Sequence, residues 1–163
     1  MADPVRLLVL KKLTVLLQGI TEIGGETVNL TQSVFRGRSV FGDDDALPML
    51  SILESPRNTD GIRAGENRSE NLNKWGLMLQ GWVKDDKGNP TDPAYHLAEA
   101  VMNRLKLVTE IRSGNSGQPL NENVYLLGRS IVGFEVGQPI IRPPIDNLSS
   151  KAFFYLQVDV ELA

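Results

Sequence analysis

The sequence predicts an α+β fold: a mixed, mostly antiparallel sheet of about six strands, with two helices packed on one face. Three observations predict it. Two segments opening on Asp-Pro, at Asp3-Pro4 and Asp92-Pro93, carry apolar residues at three- and four-residue steps. Several others alternate apolar and polar residues, most cleanly near the end of the chain. Most links between these segments are short enough to join antiparallel neighbours. At 163 residues the chain reads as one domain, 1–163, and about two-thirds of its unfolded surface is expected to be buried.

The first helix is expected from Pro4 to about Gln18. Asp3 is placed to accept from the free backbone N–H groups, and Pro4 loses nothing at the first helical position. Val5, Leu8, Val9, Leu13, Leu16, Leu17 and Ile20 form the apolar stripe, with Arg6, Thr14 and Gln18 on a polar one. Gly19 and Gly24-Gly25 supply the exit and a turn. From Thr27 to Phe41 the period changes: Val28, Leu30 and Val34 oppose Asn29, Thr31 and Ser33, as in a half-buried strand. Gly42 and Asp43-Asp44-Asp45 break it, and residues 47–53 form a second strand with Pro48 near its start. These two runs suit an antiparallel pair.

Ser55 to Asn73 holds Gly61, Gly65, Arg57, Arg63 and Arg68, with only Ile62, Ala64 and Leu72 apolar. Such a segment cannot pack as a core element, and long loops of this kind are usually functional or disordered. Lys74 to Lys84 has Trp75, Leu77 and Leu79 on one side and Met78 and Trp82 on the other. Both faces are therefore at least partly covered, as in a central strand. After the turn Asp85–Pro90, the second helix carries Ala94, Leu97, Ala98, Val101, Leu105 and Val108 on one stripe, down to about Ile111. A polar connector at 113–119 leads to β-prone pieces at Val124–Leu127 and Ile131–Val136, and Pro143-Pro144 marks a break. In the last strand Ala152, Phe154, Leu156, Val158, Val160 and Leu162 alternate with Lys151, Phe153, Tyr155, Gln157, Asp159 and Glu161.

Composition narrows the function classes. Seventeen Lys and Arg against twenty Asp and Glu give a net charge of −3, which argues against a dedicated duplex-DNA binder that works by neutralising phosphates. With no Cys, disulfide frameworks, thiolate zinc sites and cysteine nucleophiles are excluded. The most apolar stretch, Leu7 to Leu17, is cut by Lys11 and Lys12 and is short of the ~20 residues a membrane crossing needs. A soluble protein made in the cytoplasm, with no membrane partner, is expected.

Chemistry through a histidine base would have to use His96, the single one, in the first turn of the second helix. A helix N-terminus disfavours imidazolium, but no Ser sits in a strand-turn-helix setting, so His96 reads as a surface residue and the chain as no enzyme. Neither Asp43-Asp44-Asp45 nor Asp85-Asp86 has the alternating oxygen ligands of a calcium loop, and both read as solvated turns. No phosphate or dinucleotide loop pattern occurs, so no metal or cofactor is expected.

Two features suggest contacts instead. Arg36 and Arg38 are expected one pleat apart on one strand face, where they repel unless answered. They read either as a solvated strand end or as an intersubunit contact, with Asp43, Asp44 and Asp45 of a neighbouring copy as counter-charge. Phe153 and Tyr155 put two aromatics on the otherwise polar face of the last strand, where another element or a partner would cover them.

The order of these motifs resembles the tail terminator, or tail completion, proteins of long-tailed bacteriophages. The resemblance runs over most of the chain. An amphipathic first helix precedes a polar strand ending in Val34-Phe35-Arg36-Gly37-Arg38. A short acidic loop leads to residues 47–54, and a variable polar insertion follows. Then come the strand 77–83, a Pro-started helix with Ala98 and Leu105, and an alternating final strand, 153–162. The resemblance implies a small α+β subunit that assembles into a hexameric ring capping the head-proximal end of the tail tube. Such a subunit stops tube polymerisation, docks the neck or head-completion protein, and meets DNA only as passing cargo. The segment 55–73, with Arg57, Arg63 and Arg68, is the expected docking loop. Localisation in the virion tail follows, after assembly in the host cytoplasm. Another neck or head–tail joining component and, from a different class, a small ligand-binding or regulatory module remain as alternatives.

Overall fold

A computed structural model describes residues 2–39, 45–55, 74–111, 117–144 and 151–162. The helices are α1 (Val5–Gln18), α2 (Asp92–Lys106) and the single turn α3 (Leu126–Arg129). The strands are β1 (Glu22–Ile23), β2 (Glu26–Thr27), β3 (Val34–Arg36), β4 (Met49–Glu54), β5 (Lys74–Lys84), β6 (Ile131–Val136), β7 (Ile140–Arg142) and β8 (Lys151–Leu162). Six strands form the main sheet in the order β3-β4-β5-β8-β6, with β7 also pairing β8. β1 and β2 make a separate hairpin through Gly24 and Gly25, whose φ of +59° and +83° suit a two-residue turn that L side chains rarely enter.

The sheet is built on β5 and β8. All eleven residues of β5 pair antiparallel with β8, from Lys74 opposite Glu161 to Lys84 opposite Lys151. Alternation then places Trp75, Leu77 and Leu79 beside Phe154, Leu156, Val158 and Val160 on one face, all buried. Val9, Leu13, Leu16 and Leu17 of α1 and Leu97, Ala98, Val101 and Leu105 of α2 close over that face in one core. Both helices thus lie on the same side of a mixed sheet, the α+β arrangement the sequence predicts. Met78 and Trp82, on the opposite face, are half-buried, as a central strand requires.

Several elements differ from expectation. Among the described residues of the run from Thr27 to Phe41, only Thr27, at the end of β2, and β3 are strand; the Asn29 side chain accepts from the Thr31 N–H and hydroxyl at 3.0 and 2.6 Å and turns the chain before β3. Local side-chain bonding of this kind displaces the ladder that the alternation suggested. β3 and β4 are parallel rather than antiparallel, Val34 aligning with Leu50 and Arg36 with Ile52. Residues 124 and 125 form a turn and 126 and 127 begin α3, where a strand was expected.

α1 also departs in detail. Its N-cap position is Pro4, and the Asp3 carboxylate instead accepts from Lys11 at 2.6 Å. Val5 and Leu8, expected in the core, are exposed, whereas Thr14, expected on the polar stripe, is buried. The Thr14 hydroxyl can be buried because it donates to the Leu10 carbonyl at 2.7 Å and accepts from Arg36 at 3.0 Å. α2 matches its expected stripe and ends at Lys106, although Val108 in the following turn is still fully buried.

Candidate functional site

Of the residues singled out as contacts, Arg36, Arg38, Asp45, Phe153 and Tyr155 are described; Asp43, Asp44, Arg57, Arg63 and Arg68 lie outside the described residues. Arg36 and Arg38 are not pleat-mates. Gly37, at φ +72°, ends β3 and sends the two side chains to different partners. Arg36 reaches Thr14 of α1, while Arg38 Nη2 meets both carboxylate oxygens of Asp45 at 3.1 and 3.0 Å. The Arg38 guanidinium also stacks over Phe35, 4.6 Å from the ring centroid. An acid of the triplet therefore answers Arg38 within one chain.

Phe153 and Tyr155 lie on the sheet face away from the helices, in edge-to-face contact at 5.4 Å between centroids. Arg142, Pro143 and Pro144 join them around a cavity of about 410 Å³. On the same face, the register puts Phe153 opposite Trp82, and Trp82 opposite the buried Met49. The aromatics are half-buried within a partly covered surface.

Two further cavities sit at the ends of α2, and the sequence reading named neither. The first, about 600 Å³, lies between the β1–β2 hairpin, the end of β5 and the first turn of α2. Glu26, Asp85, Asp86 and Asp92 rim it, against one Lys, Lys84. His96 lines it with its ring packed over Gly24, where an added Cβ would stand 3.2 Å from the ring. Asp86 shapes the turn by accepting from the Gly88 and Asn89 N–H groups at 3.0 and 2.8 Å.

The second cavity is a groove of about 400 Å³ between α1, the end of α2 and residues 123–127. Leu8, Val15, Leu16, Val124 and Leu127 make it apolar, and Lys11, Lys12 and Arg104 make it basic. Lys12 Nζ donates to the Leu127 carbonyl at 3.1 Å and the Ser130 hydroxyl at 2.6 Å. Arg104 Nε donates to the Leu16 carbonyl at 2.8 Å. Neither meets a carboxylate among the described residues. Beside the groove, Leu126, Leu127, Gly128 and Arg129 have φ of +48°, +51°, +69° and +63°, a full turn in the left-handed region. Each non-Gly residue there costs about 1–2 kcal/mol, which the burial of Leu127 and the Lys12 bonds offset.

The signal for the groove was present in the sequence. With Val5, Leu8 and Val15 apolar besides its core stripe, α1 is apolar over more of its circumference than one buried face uses. The basic partner from α2 had no local signature. Among the described residues, no group of three or more His, Asp or Glu is placed to hold a metal ion, and no helix is long and apolar enough to cross a membrane. Neither any model of a known protein family nor any curated protein matches the chain.

Proposed function

We propose that the chain is a structural subunit of a phage tail, assembling with its own copies into a ring at the head-proximal end of the tail tube. The ring ends tube polymerisation and docks the neck or head-completion protein, with DNA passing through as cargo. The element order supports the reading: an amphipathic helix, strands flanking an acidic loop, a Pro-started helix and a long alternating last strand follow in the sequence that the resemblance implies. One observation carries it. α1 leaves Val5, Leu8 and Val15 at 57, 42 and 67% exposure along one side, an aliphatic row that a subunit buries against a partner.

Mass in solution and electron microscopy, with and without purified tail tubes, test the reading. Six-fold rings capping one end of each tube are the expected outcome. A monomer at every concentration, with no ring on added tubes, overturns it.

A further inference from the structure

The two cavities lie at opposite ends of α2 and carry opposite charge. The acidic cleft gathers at the end of β5, around Lys84 and Asp85, and at the first turn of α2. The basic groove gathers at the other end of α2, around Arg104, next to the start of β6, where Ile131 pairs with Leu162 and Lys74 pairs with Glu161. Asp92 at the cleft and Arg104 at the groove stand about 18 Å apart along the axis of α2. Four carboxylates and one lysine rim the cleft; three cations line the groove, of which Lys11 is paired with Asp3 and Lys12 and Arg104 meet no carboxylate among the described residues.

The geometry points to head-to-tail association, in which the groove of one copy meets the acidic rim of the next copy's cleft, Glu26 on the β1–β2 hairpin with Asp85 and Asp86 at the end of β5. The inference rests on the ring reading and names the surfaces that make the ring. Three features favour a second copy as the occupant. The exposed Leu8 and Val15 offer the groove an apolar floor. Lys12 and Arg104, each held in place through a backbone carbonyl, set positive charge beside it without an acid of their own among the described residues. The cleft offers exposed carboxylates at Glu26, Asp86 and Asp92, against Lys84 on its rim and Lys87 in the adjoining turn. Because the two surfaces differ and stand at opposite ends, the contact is heterologous, the type that closes into rings when its rotation closes. The earlier candidate pair of Arg38 with the acidic triplet is instead engaged within one chain at Asp45.

Charge reversal tests this. The groove variant carries Lys11→Glu and Val15→Glu, both exposed, leaving Lys12 and Arg104 to hold the fold. The cleft variant carries Glu26→Lys and Asp85→Lys, leaving Asp86 in its turn. Circular dichroism checks that each melts as the parent does, and sedimentation reports mass. Each variant alone is expected to lose at least tenfold in association. An equimolar mixture is expected to recover it, since the reversed groove of one meets the reversed cleft of the other and the unaltered pair also meet. Parent assemblies should also weaken at least tenfold on raising salt from 50 to 500 mM, a readout that needs no variant to fold. Parent rings unaffected by both reversals and salt overturn the inference and leave the ring reading standing. Separate variants that fail to recover on mixing overturn the pairing. A parent that is monomeric under all conditions overturns both.

Discussion

At the scale of single residues, Arg36 and Arg38 each find a partner outside β3. Arg36 and Arg38 were legible as unusual because two like charges two positions apart repel on a strand. What answers them lies far along the chain for Arg36, at Thr14, and just beyond the Gly37 turn for Arg38, at Asp45. Replacing Thr14 by Val keeps its shape but removes the acceptor for Arg36 and the bond to Leu10. Urea unfolding should show a loss of about 0.5–1.5 kcal/mol. Arg129 tells the opposite story. Its φ of +63° is costly for any side chain, while its contacts, Glu122 at 3.3 Å and the Tyr125 ring at 5.4 Å, are exposed or weak. Arg129→Gly should raise stability by about 0.5–1 kcal/mol in thermal melts, the relief of left-handed strain less the extra freedom of Gly in the unfolded chain. A loss of stability would mean that the Tyr125 and Glu122 contacts outweigh the strain.

At the scale of elements, legibility followed how local the signal was. The stripe of α2 and the alternation of β5 and β8 were readable because burial repeats at each element's own period, and all three formed as expected. The segment 27–41 misled because Asn29 offers the backbone bonds that compete with a ladder. The left-handed turn Leu126–Arg129 was not readable at all, since Leu-Leu-Gly-Arg carries no pattern that demands it and Lys12 holds it from over a hundred residues away. The pairing of β5 with β8 depends on one small residue. A Cβ at Gly81 would overlap the ring of Phe154, its direct register partner. Gly81→Ala is therefore expected to cost about 1–3 kcal/mol in urea unfolding, and adding Phe154→Leu should recover part of it. Independent, additive losses would show that the two positions do not share the space.

At the scale of the whole molecule, one core joins α1, α2 and the sheet, so its centre should respond as a unit. Leu105 is fully buried where α2 meets that core. Leu105→Ala should cost about 2–5 kcal/mol, and helical and aromatic circular dichroism should lose signal in one shared transition. Two separated transitions would show that the layers unfold independently. The charge layout belongs to this scale too. A net charge of −3 says nothing of where the charges stand, yet folding gathers carboxylates at one end of α2 and cations at the other. That order also suits the helix, whose dipole favours acids at its start and bases at its end. What the sequence alone determined was the α+β class, the two helices and the central strands, because periodicity is a property of neighbouring residues. Only the tertiary structure decided the parallel β3–β4 pair, the Arg38–Asp45 bond and the basic groove opposite the acidic cleft. Strand direction, ion pairing and cavities are set by distances between segments, and local spacing does not encode those distances.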